Sequence, residues 1–483
     1  MTEMSEFWQN HIDGAWVDGG AGRIAVEDPA TGDVLAEQAL ADAADVDRAV
    51  RAARACHDSG ALTDMRPLER GRLVQAMGAW VTDHAEEIAG VLTREQGKPL
   101  WEARAEVSNA ARYFEYYGNQ ASTVEGKSIP LGAGYLDFTL LEPYGVSAQI
   151  IPWNFPLEIA ARSIACGIAT GNACVVKSSE MTPLSSSFFA RAGEAVGLPK
   201  GALNVLTGYG AEAGAALAAH AGVDMVVFTG SVATGRKIGE AAARNIVPAV
   251  LELGGKSAAV VCEDADLDAV VASVRKGVYV NAGQICSAMS RIVAHPSVHD
   301  ELAERIVALA GSISVGPGIE REVPLEGMGP VVSDAQCERA VGMVSRAEAG
   351  GARVATGGRR LNRPGHFMEP TLMVDVDPAS EIAQEEVFGP VTCLMPYRDE
   401  ADAIRIANGT PYGLVAGVFS RDLDRAARTA GRLRAGQVFV NEWFAGGVET
   451  PFGGYGQSGY GREKGREALW NYVQTKNVAI KVT

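Results

Sequence analysis

Long apolar runs are missing from this 483-residue chain. None reaches the roughly 18 uninterrupted apolar residues that a membrane-spanning helix needs. The N-terminus, MTEMSEFWQN, is acidic and has no apolar stretch of the kind a secretory leader carries, so no signal peptide is expected. Basic residues are in the minority: 43 Lys and Arg against 59 Asp and Glu, a formal net charge of −16. A field of that sign repels phosphate, which argues against nucleic-acid and anionic-membrane partners and still permits one small cationic pocket. The cysteines lack a framework. The seven, at 56, 166, 174, 262, 286, 337 and 393, form no CxxC and no cluster with zinc-ligand spacing. An odd number without pairing signals fits a reducing, cytoplasmic setting and no bound metal. Glycine is frequent, at 56 residues, but without a Gly-X-Y period, so a collagen-like chain is excluded. Internal repeats, low-complexity tracts and flexible linkers are likewise missing.

What is present is core material. Hydrophobic residues make up 47% and charged ones 21%, enough for a large folded body. A guide of ~150 residues per domain predicts about three domains. Apolar residues recur at three and four over 41–57 and again across 68–115, which predicts helices. Residues 135–151 read as strands. From 145 onward strands and helices alternate: 145–151, 173–177, 202–208, 224–230 and 248–255 as strands, 186–197, 211–220 and 231–243 among the helices. That alternation predicts a doubly wound parallel sheet of Rossmann type. A second α/β series follows 255 and includes RIVAHPSV, ELAERIVALAGSI, GARVATGG and QVFVN, and 473–482 closes the chain as a strand.

Several segments carry chemistry. Gly208, Gly210 and Gly214 form GxGxxxG, one residue longer than the dinucleotide fingerprint, and also fit a plain glycine turn before a helix. VVFTGSVATG runs a strand through Gly230 and Ser231 into a helix whose free N–H groups suit a phosphate; Ser231 equally fits a helix N-cap. Lys177 ends a strand with Glu180 three residues on, a position from which a carboxylate can hold ribose hydroxyls; a solvated lysine and a glutamate at a helix start also fit. IIPWNFP places Asn154 in a stiff, proline-flanked turn suited to an oxyanion donor. NAGQICSA sets Cys286 among small residues, and ELGGK sets Glu252 at a strand end before paired glycines.

The ordered set REQGKP (94–99), PWNFP (152–156), FTGS (228–231), ELGGK (252–256), GQIC (283–286), EEVFGP (385–390), NGTPYGL (408–414) and PFGGYGQSGYGRE (451–463) resembles the NAD(P)-dependent aldehyde dehydrogenase superfamily over nearly the whole chain. The resemblance implies an NAD-binding domain from 1–119 and 144–254, a catalytic domain from 255–457, and an oligomerisation element from 120–143 and 458–483. It implies oxidation of an aldehyde to the carboxylic acid with NAD+, through a cysteine thiohemiacetal and thioester. Cys286 would be the nucleophile, Asn154 and the Cys286 N–H the oxyanion hole, and Glu252 the general base. Ile151, Trp153, Lys177, Glu180, Gly210, Gly230, Ser231, Glu386 and Phe388 would line the cofactor site, and Glu463 would belong to a proton relay. Glu252 speaks against the CoA-acylating alternative, because it would hydrolyse the thioester. Intact catalytic residues speak against a non-catalytic relative. Glu180 favours NAD over NADP.

GQICSAMSR is similar to the betaine-aldehyde and aminoaldehyde branch, but Arg162 stands where that branch has a tryptophan. The entrance tunnel implied by the resemblance draws on Glu102, Glu106, Glu158, Ile159, Arg162, Val280, Ile285, Phe444, Gly446 and Phe452. Its acids would attract a cationic aldehyde and Arg162 a carboxylated one; alternatively Arg162 pairs with Glu106 or Glu158. The partners expected are a small-molecule aldehyde and further copies of the chain, in a homodimer or homotetramer.

Overall fold

The computed structural model describes residues 7–482. The 41–57 periodicity becomes helix Ala43–Asp58. It starts where Asp42 accepts from the Ala44 and Asp45 N–H groups, while the Asp45 carboxylate accepts from the Asp42 N–H. Such reciprocal capping satisfies donors that a first helical turn leaves open. The 68–115 stretch divides into helices Pro67–Asp83, Ala85–Gln96 and Leu100–Gln120. Residues 211–220, expected as one helix, instead form a wide turn, Gly210–Gly214, running into a short helix, Ala215–Ala218. The glycines at both ends of that turn weaken any preference for regular helix.

The strand–helix alternation yields a sheet with five parallel strands. Val146–Ile150, Ala173–Ser178, Leu203–Thr207, Met225–Thr229 and Ala249–Glu252 lie in the spatial order third, second, first, fourth, fifth. The first four are buried at every residue, as a sheet covered on both faces requires. Strand order reverses between Val146–Ile150 and Met225–Thr229, which opens a crevice at their carboxyl ends. Asn10–Ile12 extends one edge antiparallel, and Gly459–Tyr460 extends the other against Leu251 and Glu252.

A second sheet runs Arg353–Thr356, Thr371–Val374, Val391–Pro396, Arg291–Ala294, Ala258–Val261, Val415–Phe419, Gln437–Val440, parallel except for its first pair. Buried apolar side chains fall into two clusters. One spans residues 8–253 with additions from 448–472, and the other lies wholly within 258–443. A third, antiparallel sheet joins Ser128–Ile129, Tyr135–Pro143 and Val473–Lys481. It leaves Ile129, Tyr135, Leu136, Leu140 and Ile480 exposed. Among the described residues, no helix is long and apolar enough to cross a membrane.

Arg291 ties the second sheet to the segment after Glu252. Its buried guanidinium donates to the carbonyls of Lys256, Ile406 and Ala407 at 2.9, 2.8 and 2.8 Å. Bonds from a charged donor contribute ~1.5–3 kcal/mol each, and orphaned buried carbonyls cost more. Arg291→Met is therefore expected to destabilise the fold by at least ~3 kcal/mol. A lower urea midpoint checks this; an unchanged midpoint contradicts it.

Candidate active site

Cys286 follows a strained turn. Asn281, Ala282 and Gly283 hold positive φ angles of 50°, 50° and 72°. A Cβ at position 283 would stand 2.0 Å from the Gly389 carbonyl oxygen, so only glycine fits there. Left-handed backbone at non-glycine residues costs ~1–2 kcal/mol each and persists where surrounding bonds over-determine it. Those bonds are present. Glu102 accepts from the Asn281 N–H at 2.7 Å, the Asn281 amide donates to the Asn154 carbonyl at 2.9 Å, and the Gln284 amide bridges the Asn281 carbonyl and the Val332 N–H at 2.9 and 2.8 Å.

Asn154 is locked into the same network. Its Nδ2 donates to the Gln284 carbonyl at 2.9 Å, which aims the amide toward the backbone just before Cys286. Its carbonyl also accepts from Lys98 Nζ at 3.0 Å. The buried Lys98 ammonium pairs with Glu106, whose other oxygen accepts from the Leu157 and Glu158 N–H groups at 2.9 and 3.1 Å. Those are first-turn amides of helix Pro156–Thr170, so Glu106 caps the helix that follows the Asn154 turn.

Glu252 lies at the end of its strand, fully enclosed. Neither of its carboxylate oxygens finds a hydrogen-bond partner among the described residues. Burial pushes this carboxyl well above its ordinary value; Arg162 pulls it down and Glu463 pushes it up. Arg162 Nε stands 2.7 Å from Glu463 Oε2, and its Nη2 donates to Thr229 Oγ1 at 3.1 Å.

The crevice at the strand ends gathers the remaining residues. Lys177 Nζ donates to the Gly208 carbonyl at 3.0 Å and lies 3.6 Å from Glu180. Ser231 is the N-cap of helix Val232–Asn245, its hydroxyl accepting from the Thr234 N–H at 3.2 Å. The two readings of Ser231 are compatible, since the cap leaves the other first-turn amides open. Gly210 has open space around it. The Glu386 carboxylate accepts from the Gly255 N–H at 3.2 Å, and a Cβ at Gly254 would stand 2.4 Å from its other oxygen. Phe388 takes a positive φ of 57°, and its ring meets Trp153 edge-on at 5.2 Å. Gln336 Nε2 donates to the Phe388 carbonyl at 2.8 Å and Arg339 Nη2 to the Glu386 carbonyl at 2.7 Å, which hold this loop in place. Ile151 is buried at the strand end, its N–H donating to the Lys177 carbonyl at 3.0 Å. Lys177 and Glu180, an open glycine, a helix N-terminus and the half-buried Glu386 together fit a dinucleotide. No group of three His, Cys, Asp or Glu among the described residues is placed to hold a metal ion.

The expected tunnel needs correction. Glu106 and Glu102 are buried and committed to Lys98 and to Asn281, so neither faces a substrate. Arg162 pairs with Glu463 rather than with Glu106 or Glu158. Glu158 accepts instead from Tyr113 Oη at 3.2 Å and Asn109 Nδ2 at 3.4 Å. Ile159 and Ile285 are buried, Val280 and Phe452 partly so, and Phe444 is exposed with a positive φ of 68°. Phe452 pairs with Glu463 in an antiparallel bridge and lies under both Arg162 and Lys464. Lys98, Asn281 and Gln284 received no role from sequence reasoning. The one available signal was Lys98 itself, a lysine wedged between Gly97 and Pro99 in a short turn.

The aldehyde dehydrogenase family matches this chain over residues 16–478. Aldehyde dehydrogenase family 2 member B4, mitochondrial, of Arabidopsis thaliana is 41% identical over 470 residues, covering 97% of this chain and 87% of the plant protein. Benzaldehyde dehydrogenase, mitochondrial, of Antirrhinum majus is 40% identical over 470 residues, covering 97% and 88%. The solved NAD+ complex of an aldehyde dehydrogenase from Bacillus cereus is 38% identical with a TM-score of 0.96, covering 99% of this chain and 97% of that one. The chain belongs to the aldehyde dehydrogenase family.

Among the described residues all seven cysteines are free, and Cys286 alone is not buried. Desolvation first, then the charge of Glu386, push its thiol up to about 12, against the pull of Arg162. The thiol is therefore protonated at neutral pH, and the thiolate fraction grows about tenfold per pH unit. Iodoacetamide is expected to label Cys286 slowly at pH 7 and about tenfold faster with each unit up to pH 10. Peptide mass mapping reads the rate; a flat profile contradicts the assignment.

Proposed function

We propose that this chain is an NAD+-dependent aldehyde dehydrogenase that releases a free carboxylic acid. The observation that carries this reading is one cluster: the partly exposed Cys286, the Asn154 amide held against the preceding backbone, and the unpartnered Glu252 carboxylate.

The Cys286 thiol gives up its proton, which Glu252 takes and passes to water, and the sulfur attacks the aldehyde carbon. The oxygen, now negative, is met by Asn154 Nδ2 and the Cys286 N–H, donors whose positions are set before the charge develops. A dinucleotide bound in the crevice would supply the hydride acceptor, leaving the acyl group on the Cys286 sulfur as a thioester. Glu252 takes a proton from water, whose oxygen attacks the thioester carbonyl; the acid leaves and the Cys286 sulfur is freed. A base there favours hydrolysis over transfer to CoA.

Lys177 and Glu180 would hold the adenosine ribose, the helix following Gly230 and Ser231 would meet the pyrophosphate with Gly210 nearby, and Glu386 would hold the second ribose. Ile151, Trp153 and Phe388 would line the nicotinamide end of the site. The substrate is an uncharged aldehyde. Arg162 is neutralised by Glu463, Glu158 is bound by Tyr113 and Asn109, and Phe444 and Phe452 supply apolar surface. The likeness to a benzaldehyde dehydrogenase supports an aromatic member of that class.

Residues 1–119 with 144–254 bind the cofactor, 255–457 carry the nucleophile, and 120–143 with 458–483 mediate assembly into a dimer or tetramer. The exposed apolar side chains of the small sheet support the last assignment. Seven free cysteines fit a cytoplasmic location.

NADH formation is expected with benzaldehyde or hexanal, and none with Cys286→Ala. Asn154→Ala lowers kcat by about 10²–10³, and Glu252→Gln by about 10²–10⁴. Full turnover in the Cys286→Ala protein, or a product that forms only with CoA, overturns the reading. A clear preference for cationic or carboxylated aldehydes overturns the substrate class.

A further inference from the structure

Arg162 has no role in the chemistry above, yet it lies at its centre. Its guanidinium spans two elements: Nε is 2.7 Å from Glu463 and Nη2 is 3.1 Å from Thr229 Oγ1. Thr229 and Glu252 are direct neighbours on adjacent parallel strands, so the guanidinium sits across the strand ends beside the general base. The Glu252 carboxylate lies on the other side against the chain that carries Glu463. A Cβ added at Gly453 would stand 2.9 Å from Glu252 Oε1 and 2.9 Å from Arg462 Cδ. Arg162, Glu252 and Glu463 are all buried, with one positive charge for two carboxyl groups.

We propose that Arg162 is a positioning residue for the hydrolytic step: pinned between Glu463 and Thr229, it is the counter-charge against which Glu252 ionises to take the proton from water. This rests on the roles given to Cys286 and Glu252 under Proposed function.

The charge arithmetic is simple. With one proton on the two acids, the three-group cluster is neutral and stable in a low-dielectric pocket. Ionising Glu252 while Glu463 stays charged leaves one net negative charge, a cost that Arg162 reduces and Glu463 increases. The other groups facing this centre are Arg462 and Lys464 beside Glu463, Glu158 on the Arg162 helix, Tyr113 and Tyr117 on helix Leu100–Gln120, Tyr472 and Cys166 near Glu463, and Cys286 itself. Removing Arg162 and removing Glu463 therefore push Glu252 in opposite directions, a signature that a purely structural ion pair does not produce.

The water step is isolated without cofactor by acetylating the protein with 4-nitrophenyl acetate. The Cys286 thiol loses its proton to water, the sulfur bonds to the acetyl carbon, and 4-nitrophenolate leaves. Water then adds to the thioester, its proton passes to Glu252, and acetate departs. Decay of the acetyl-protein, read by intact mass between pH 5 and 10, gives an ascending limb that reports Glu252. In Arg162→Met this limb is expected to rise by at least about one unit, slowing decay about tenfold at a fixed pH on the limb. In Glu463→Gln it falls, and Arg162→Lys returns it at least halfway. Arg162→Met leaves Glu463 buried without its partner, so the double variant R162M/E463Q, free of both charges, serves as its stable counterpart. The double variant's limb is expected above that of Glu463→Gln alone. Limbs that move together, or not at all, overturn the proposal. A native protein that gains no acetyl group on Cys286 overturns the Proposed function and this inference with it.

Discussion

The ion pair of Lys98 with Glu106 is the interaction on which the rest of this site depends. Two opposite charges taken out of water hold their place only when every remaining donor and acceptor is used. Here they are used on the catalytic architecture. The ammonium also grips the Asn154 carbonyl, and the carboxylate also caps the helix that starts two residues beyond Asn154. Three elements, the Gly97 turn, the Asn154 turn and the helix behind it, are thus set by one pair. From Asn154 the order passes on through Asn281 and Gln284 to the strained turn before Cys286.

The two α/β bodies meet along that line. Glu102 reaches from the helix layer of the first to the Asn281 N–H of the second, and Arg291 reaches back to the carbonyl of Lys256. The proposed nucleophile, Cys286, stands on one body and the proposed base, Glu252, on the other, so their relative position depends on bonds that cross the junction rather than on either core alone. This explains why polar side chains such as Glu102, Asn154 and Asn281 are buried near Cys286 and bonded across the boundary.

Much of this was legible in the sequence. The alternation of buried strands and helices after 145 has a period that local pattern reads directly, and the strand-end positions of Lys177, Thr229 and Glu252 followed from it. Motif order brought out Cys286, Asn154 and Glu386 as candidates for the same reason: each sits in a short, unusual turn. What stayed hidden was pairing between distant segments. Arg162 looks toward Glu158 on its own helix when read locally, but its partner is Glu463, delivered by the antiparallel return of Phe452–Glu463. Glu102 and Glu106 looked like tunnel acids because a carboxylate near the site invites that reading. Only the fold shows that a lysine and a backbone amide already hold them.

The return of the chain to the first sheet also bears on how the protein is made. By residue 252 the ribosome has delivered all five parallel strands, and by 286 the proposed nucleophile. Ser458, which bonds Gly254 and Gly413, the edge strand Gly459–Tyr460, and Glu463 come only much later in translation. The strand that zips onto Tyr135–Pro143 is later still. A nascent or prematurely terminated chain therefore carries the Cys286 thiol without the surroundings that complete its pocket, and the order of synthesis withholds the finished centre until the segment around Glu463 has joined it.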